Sequence, residues 1–113
     1  MSEFEVSGPP VAKQRPRRGP AGNWYTPQRT KDFEEQVGWC AKAAGVELKE
    51  GPCEIEIDFH LSARRADIDN LTKAVLDGLN GLNGWDDRQV VSLFVRTVDV
   101  MDGSEEKTVV RVR

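Results

Sequence analysis

The sequence predicts a single α/β (α+β) domain of two layers, in the order β-α-β-α-β-β, with helices packed on a mixed sheet. The chain is 113 residues long, enough for one core and short for two, so 1–113 is read as one domain. One segment, 53–61, alternates apolar and polar residues strictly, as a half-buried strand does. Two other stretches repeat apolar residues at helical spacing between turn residues. A fold of this size usually buries its apolar faces in a two-layer arrangement, and oligomerisation would help it.

Phe4 and Val6 alternate with polar neighbours as a short first strand, which Gly8-Pro9-Pro10 ends. Residues 11–29 mix prolines and glycines with basic residues and show no period, so they read as a long surface loop of the kind that often carries function. Thr30 is a good N-cap, and Phe33, Val37, Cys40, Ala41 and Ala44 then place an apolar face on a helix over 31–44, ending at Gly45. In the strand 53–61, Ile55, Ile57, Phe59 and Leu61 point one way and Glu54, Glu56, Asp58 and His60 the other. A second helix is predicted over 70–80, with Asp69 as N-cap and Leu71, Ala74, Val75, Gly78 and Leu79 on its inner stripe. After a turn at 81–85, residues 90–98 read as a strand; Asp102-Gly103 is a turn, and 108–112 a closing antiparallel strand.

The formal charge of −3 hides an uneven distribution. From Val11 to Lys31 there are six basic residues, Lys13, Arg15, Arg17, Arg18, Arg29 and Lys31, and no acidic one, giving +6; the other residues carry 10 basic against 19 acidic, or −9. A basic segment on an acidic body suits a protein that holds phosphate in one place and a divalent cation in another. No stretch approaches the run of about 18 apolar residues a membrane helix needs, and the first residues lack the apolar core of a signal peptide. The cytoplasm is therefore expected, with no membrane partner. Cys40 and Cys53 fit that compartment as small buried residues, being neither spaced as metal ligands nor numerous enough for a disulfide framework.

The segment Arg64-Arg65-Ala66-Asp67-Ile68-Asp69-Asn70-Leu71-Thr72-Lys73 runs from the clearest strand into a helix, a junction that aims side chains accurately. Asp67 and Asp69 lie two apart and can face the same side, where a hard cation relieves their repulsion and uses their oxygens as ligands. Asp69, Lys73 and Asp77 are spaced four apart on one helix face. A lysine there can contact a scissile phosphate and stabilise its transition-state charge. Trp85-Asp86-Asp87 adds two carboxylates directly before a strand, able to return to the same sheet edge. The same residues also admit plain structural readings: Asp69 as a cap, Lys73 and Asp77 as an exposed ion-paired face, Asp86-Asp87 as a solvated turn. An EF-hand starting at Asp67 fails, because Thr72 and Gly78 stand where Gly and Glu are needed. There is no Walker loop, no Gly-x-Gly-x-x-Gly and no Ser/His/Asp set, His60 being the only histidine, so no small-molecule cofactor is expected.

At these residues the sequence resembles the RusA family of Holliday junction endonucleases. The matching elements are Lys13-Gln14-Arg15-Pro16-Arg17, Tyr25-Thr26-Pro27, Asp67-Ile68-Asp69-Asn70-Leu71-Thr72-Lys73, Leu76-Asp77-Gly78-Leu79-Asn80 and Trp85-Asp86-Asp87-Arg88-Gln89-Val90, in family order over most of the chain. The resemblance implies that Asp67 and Asp69 are the paired catalytic and metal-binding aspartates, Lys73 the catalytic lysine and Asp87 the third essential aspartate, with Asp77, Asp86 and Asn70 as supporting positions around them. It also implies Mg²⁺ as cofactor, Mn²⁺ as its substitute, a homodimer, and four-way DNA junctions as substrate, resolved by paired symmetric nicks in recombination and repair. Lys13, Arg15, Arg17, Arg18, Arg29, Arg64 and Arg65 are then the residues that grip DNA backbones. Trp24 and Tyr25 stack on exposed bases or pack the loop down, with packing expected for at least one of them. Val109, Val110 and Val112 are either a dimer surface or core. The alternatives are a flap- or fork-cleaving nuclease of the same fold and a non-catalytic junction-binding protein.

Overall fold

The computed structural model describes residues 2–46, 51–63, 66–81 and 85–113. Its main sheet has four strands in the order β1-β6-β4-β5: β1 (Ser2–Ser7), β4 (Cys53–Leu61), β5 (Val90–Asp99) and β6 (Lys107–Val112). β6 pairs antiparallel with both β1 and β4, while β4 and β5 run parallel, so the sheet is mixed. Two helices, α1 (Gln28–Ala43) and α2 (Ile68–Leu79), cover one face. This is the two-layer α+β domain that the sequence predicts. A separate two-stranded ribbon, β2 (Arg17–Arg18) and β3 (Trp24–Tyr25), stands within the basic segment, which is therefore not the period-free loop expected for 11–29. No helix among the described residues is long and apolar enough to cross a membrane.

The alternation in β4 does what its pattern requires: Ile55, Ile57, Phe59 and Leu61 are buried, facing Phe33, Val37 and Ala41 of α1 and Leu71, Ala74, Val75 and Leu79 of α2 in one core. Phe4, Val6, Val110 and Val112 complete the sheet side of that core. Ala44, expected on the apolar face of α1, is exposed just past its end, and Cys40 and Cys53 are only half-buried. The helices meet closely where Gly38 faces Gly78. A Cβ on Gly78 would lie 2.8 Å from both the Glu34 carbonyl oxygen and Val37 Cβ, so only glycine permits this approach.

Both helices begin earlier than their cap signals suggest. α1 starts at Gln28 behind Pro27, which fixes an extended residue before the first turn. Thr30 is instead buried inside that turn, its hydroxyl donating to the Ala12 carbonyl at 3.5 Å. α2 starts at Ile68 with Asp67 in the cap position, and no side-chain cap hydrogen bond forms. Asp69 is thus in the first turn, where a carboxylate is favoured by the helix dipole.

Local pattern does not reveal the strand order. β6 reads as a closing strand, yet it lies in the interior of the sheet between β1 and β4. Val109, Val110 and Val112 are accordingly buried, which removes them as a dimer surface. β5 takes the edge instead, with Val91, Leu93 and Phe94 exposed.

Candidate active site

The chain leaves β4 at Leu61 and enters α2 through Asp67. Asp67 and Asp69 are both exposed, and neither carboxylate makes a hydrogen bond or ion pair with a described residue. Lys73, one turn beyond Asp69, is also exposed and free of such pairing. Its neighbour Asp77 is not its counter-ion, because Lys13 takes that place. Among the described residues, two carboxylates without partners therefore share a helix with an ammonium without a counter-ion, an arrangement suited to a divalent cation and a phosphate.

The basic segment is stitched to this helix. The Lys13 backbone N–H donates to the Asn70 carbonyl at 2.8 Å. The Lys13 ammonium lies 2.6 Å from Glu34 of α1 and 3.0 Å from Asp77 of α2. Burial works against the charged form of Lys13, but hydrogen bonds to these two carboxylates outweigh it and raise the pKa above the ordinary lysine value. Lys13, expected among the DNA-gripping residues, is thus a neutralised clamp across both helices. Arg15, Arg17 and Arg29 are exposed without ion pairs to described residues, and Arg18 donates from Nε to the Gly22 carbonyl at 3.4 Å. Arg64 and Arg65 lie outside the described residues. A cleft of about 170 Å³ runs between the basic segment and the end of β4, lined by Arg29, Leu61, Ala66, Leu71 and Glu106 among others, so Arg29 borders the Asp67 corner.

Asp86 and Asp87 divide their work. The Asp86 carboxylate caps the 3₁₀ turn Asp87–Gln89, accepting from the Arg88 backbone at 2.9 Å, and pairs with the Arg88 guanidinium at 2.7 Å. Arg88 holds its pKa down to about 2. Asp87 is left exposed at the head of β5.

Asp87 does not return to the edge where Asp67 and Asp69 stand. In the parallel register Cys53 faces Val90 and Leu61 faces Asp99. Asp87 therefore sits at the Cys53 end of β4 and the aspartate pair at the Leu61 end, roughly 25 Å apart by strand rise. The cause is the parallel crossover itself: α2 carries the chain back down the sheet before β5 starts. In keeping with this, no group of three or more His, Cys, Asp or Glu side chains among the described residues could hold a metal ion.

Two other features escape the sequence reading. Asp58, on the polar side of β4, is buried and held by Arg96 and Arg111. Trp24 is 69% exposed and does not pack the basic segment down, whereas Tyr25 is 44% exposed with its ring beside Gly19 of that segment. Burial pushes the Cys40 and Cys53 thiols up, away from the nucleophilic thiolate form.

Similarity to known proteins agrees with the motif order. The family model described as endodeoxyribonuclease RusA matches residues 7–113. The crossover junction endodeoxyribonuclease RusA of Escherichia coli strain K12 is 30% identical over 107 residues, covering 91% of this chain and 89% of the relative. Proteins of the same name from Escherichia coli O6:H1 and from strain UTI89 match to the same extent, 30% over 107 residues. A match through both helices, the aspartate-lysine corner and the strands β4, β5 and β6 of the main sheet places this enzyme chain in the RusA family of endodeoxyribonucleases.

Proposed function

We propose that residues 1–113 form one Mg²⁺-dependent, structure-selective endonuclease domain that resolves four-way DNA junctions by paired nicks, in recombination and repair in the cytoplasm. The observation that carries this reading is the corner of α2, where Asp67, Asp69 and, one turn beyond Asp69, Lys73 are exposed without partners among the described residues and the basic segment is bonded to the same helix at Asn70. The relatives' name, crossover junction endodeoxyribonuclease, supplies the substrate class.

The donor chemistry fits Mg²⁺, and Mn²⁺ as its substitute: hard carboxylate oxygens that are exposed and without partners among the described residues. Such a cation, when bound, supplies Lewis-acid charge and an activated water. Asp67 and Asp69 hold it at the head of α2. Lys73 takes a non-bridging oxygen of the scissile phosphate and stabilises the charge that grows there. Arg15, Arg17 and Arg29 fix the backbone on either side, and Asn70 anchors the basic segment to the site through its carbonyl.

Asp87 joins this site from a second copy of the chain. β5 is a free edge whose run Val90-Val91-Ser92-Leu93-Phe94-Val95 is apolar on both faces, the composition of a strand inside a sheet. Two-fold pairing of β5 with its counterpart is antiparallel and turns the partner end for end. The partner subunit's Asp87 then arrives at the end where Asp67 and Asp69 stand. Each homodimer gains two identical sites, one for each strand that resolution must cut.

A labelled four-way junction incubated with the purified protein tests the reading. Paired nicks on opposing strands are expected with Mg²⁺ and none without it. Equal cutting of flaps would point to a flap nuclease, and binding with no Mg²⁺-provoked cleavage to a junction-binding protein.

A further inference from the structure

We infer that the β2–β3 hairpin is a base-stacking element: the Trp24 indole receives an unpaired base of branched DNA while Arg18 beside it holds a neighbouring phosphate. This rests on the nucleic-acid reading of the basic segment given above.

The hairpin belongs to neither layer of the domain. β2 and β3 pair only with each other, Arg17 opposite Tyr25 and Arg18 opposite Trp24. Residues directly opposite in an antiparallel pair share a face, so each face of the ribbon carries one aromatic ring and one guanidinium. Trp24 is 69% exposed, so its ring contributes little to folding. A single exposed aromatic residue is ordinary. Here it stands opposite a cation, within a stretch from Val11 to Lys31 that has no acidic residue.

Two-residue strands are marginal in water, so the ribbon depends on its turn. Gly22 N–H donates to the Gly19 carbonyl at 2.9 Å, closing a turn with Pro20 at its second position. Gly19 N–H donates to the Asn23 carbonyl at 2.7 Å. Gly22 has φ +83°, a backbone conformation that favours glycine at this place in the tip. The Arg18 Nε bond to the Gly22 carbonyl restrains the guanidinium beside the indole. The turn and this bond therefore fix the strand that carries Trp24 and the cation opposite it, which lowers the ordering cost of binding.

A flat apolar ring next to a guanidinium complements a base face joined to a phosphate. Bases inside a continuous duplex offer no free face, whereas unstacked bases at a branch point or in a single strand do. The element consequently discriminates for unpaired DNA. Trp39, the other exposed indole, is occupied differently, with Lys42 Nζ 5.7 Å from its ring centroid on the same helix.

The Trp39→Phe protein retains only Trp24 and the buried Trp85, so the part of its emission that is missing when Trp24→Phe is added reports the hairpin. Titration with oligothymidylate, with a blunt duplex and with a four-way junction should quench that emission for the first and third but not the second. Trp24→Ala should weaken oligothymidylate and junction binding by on the order of tenfold while leaving duplex binding within about twofold, and Trp24→Phe should restore most of the loss. Equal losses on duplex and single strand, or absence of quenching, would overturn the stacking role. Junction cleavage without quenching would do the same and leave the nuclease reading intact. Quenching by oligothymidylate in a protein with no preference for junctions would support stacking while defeating the junction-resolving function.

Discussion

Arg96 of β5 grips Asp58 of β4 with both arms of its guanidinium, Nε to Oδ1 at 2.8 Å and Nη2 to Oδ2 at 3.2 Å, from the facing register position. Arg111 of β6 reaches the same carboxylate at 3.1 Å, so one buried aspartate ties three strands on the face away from the helices. The Arg96 hydrogen bond first, and Arg111 with it, hold the Asp58 carboxyl below its ordinary value of 3.8 against the opposing effect of burial. A depressed carboxyl pKa contributes stability above the unfolded value and loses it as pH falls through the folded one. Urea unfolding should therefore show wild-type stability falling below about pH 4 more steeply than that of Asp58→Asn. At neutral pH that variant should be less stable by about 1–3 kcal/mol, since the largely exposed Arg96 limits the loss.

Gly78→Ala should destabilise the domain by about 1–3 kcal/mol, because its Cβ would meet the Glu34 carbonyl at 2.8 Å and the α1 backbone must move to admit it. Thermal unfolding measures the loss. A variant as stable as wild type would mean that the two helices separate without cost.

Asp69→Asn should abolish cleavage and leave junction binding intact or stronger, since under the proposed function it removes a metal ligand and a repulsive charge together. Lys73→Ala should slow single-turnover cleavage by on the order of 10²-fold with little change in the Mg²⁺ dependence. A Lys73→Ala protein that regains full rate merely with added Mg²⁺ would assign the lysine to an ion pair instead.

These assignments divide by what a local pattern can encode. The strand Cys53–Leu61 and the stripe Leu71, Ala74, Val75, Gly78 and Leu79 are legible because burying one face imposes a period on neighbouring residues. The candidate corner Asp67, Asp69 and Lys73 is legible for the same reason, lying within one element and its entry. Asp87 is not, since its place depends on β5 running parallel to β4, a long-range pairing that leaves no local trace. The same holds for β6, whose apolar residues fit an edge or an interior strand equally well until β1 and β4 flank it. Lys13 reads as one more cation of the basic segment, and only the approach of α1 and α2 makes it a clamp.

Within the basic segment, charge-removing substitutions should therefore divide into two kinds. Arg15→Ala with Arg17→Ala should weaken binding to all DNA sequences and flatten the salt dependence, by roughly 0.9 in log–log slope per lost duplex phosphate contact. Lys13→Ala should lower the unfolding midpoint by leaving Glu34 and Asp77 facing each other, with little change in that slope. Fluorescence anisotropy across a salt series, alongside thermal unfolding, separates the two; a Lys13→Ala slope change as large as the arginine pair's would return Lys13 to the DNA contacts.

The proposed shared site makes the sharpest demand on the proposed dimer. Asp69 and Asp87 lie at opposite ends of β4 in one chain, so a working site draws one from each subunit if β5 pairs across a two-fold axis. Asp69→Asn and Asp87→Asn homodimers should each be inactive, because both of their sites lack a carboxylate. In a mixed dimer one site carries both defects and the other carries none. Mixing the two proteins, after partial unfolding and refolding to exchange subunits, should restore nicking of a four-way junction toward one active site per mixed dimer, with single nicks outnumbering paired ones. If each chain completed its own site, both sites of the mixed dimer would carry a defect and mixing would restore nothing. Phe94→Asp should test the edge itself: a carboxylate on the exposed β5 surface should shift light scattering from twice the chain mass to the monomer and abolish complementation with it. A protein that stays dimeric with Asp at 94 would move the interface away from β5, and with it the source of the third carboxylate.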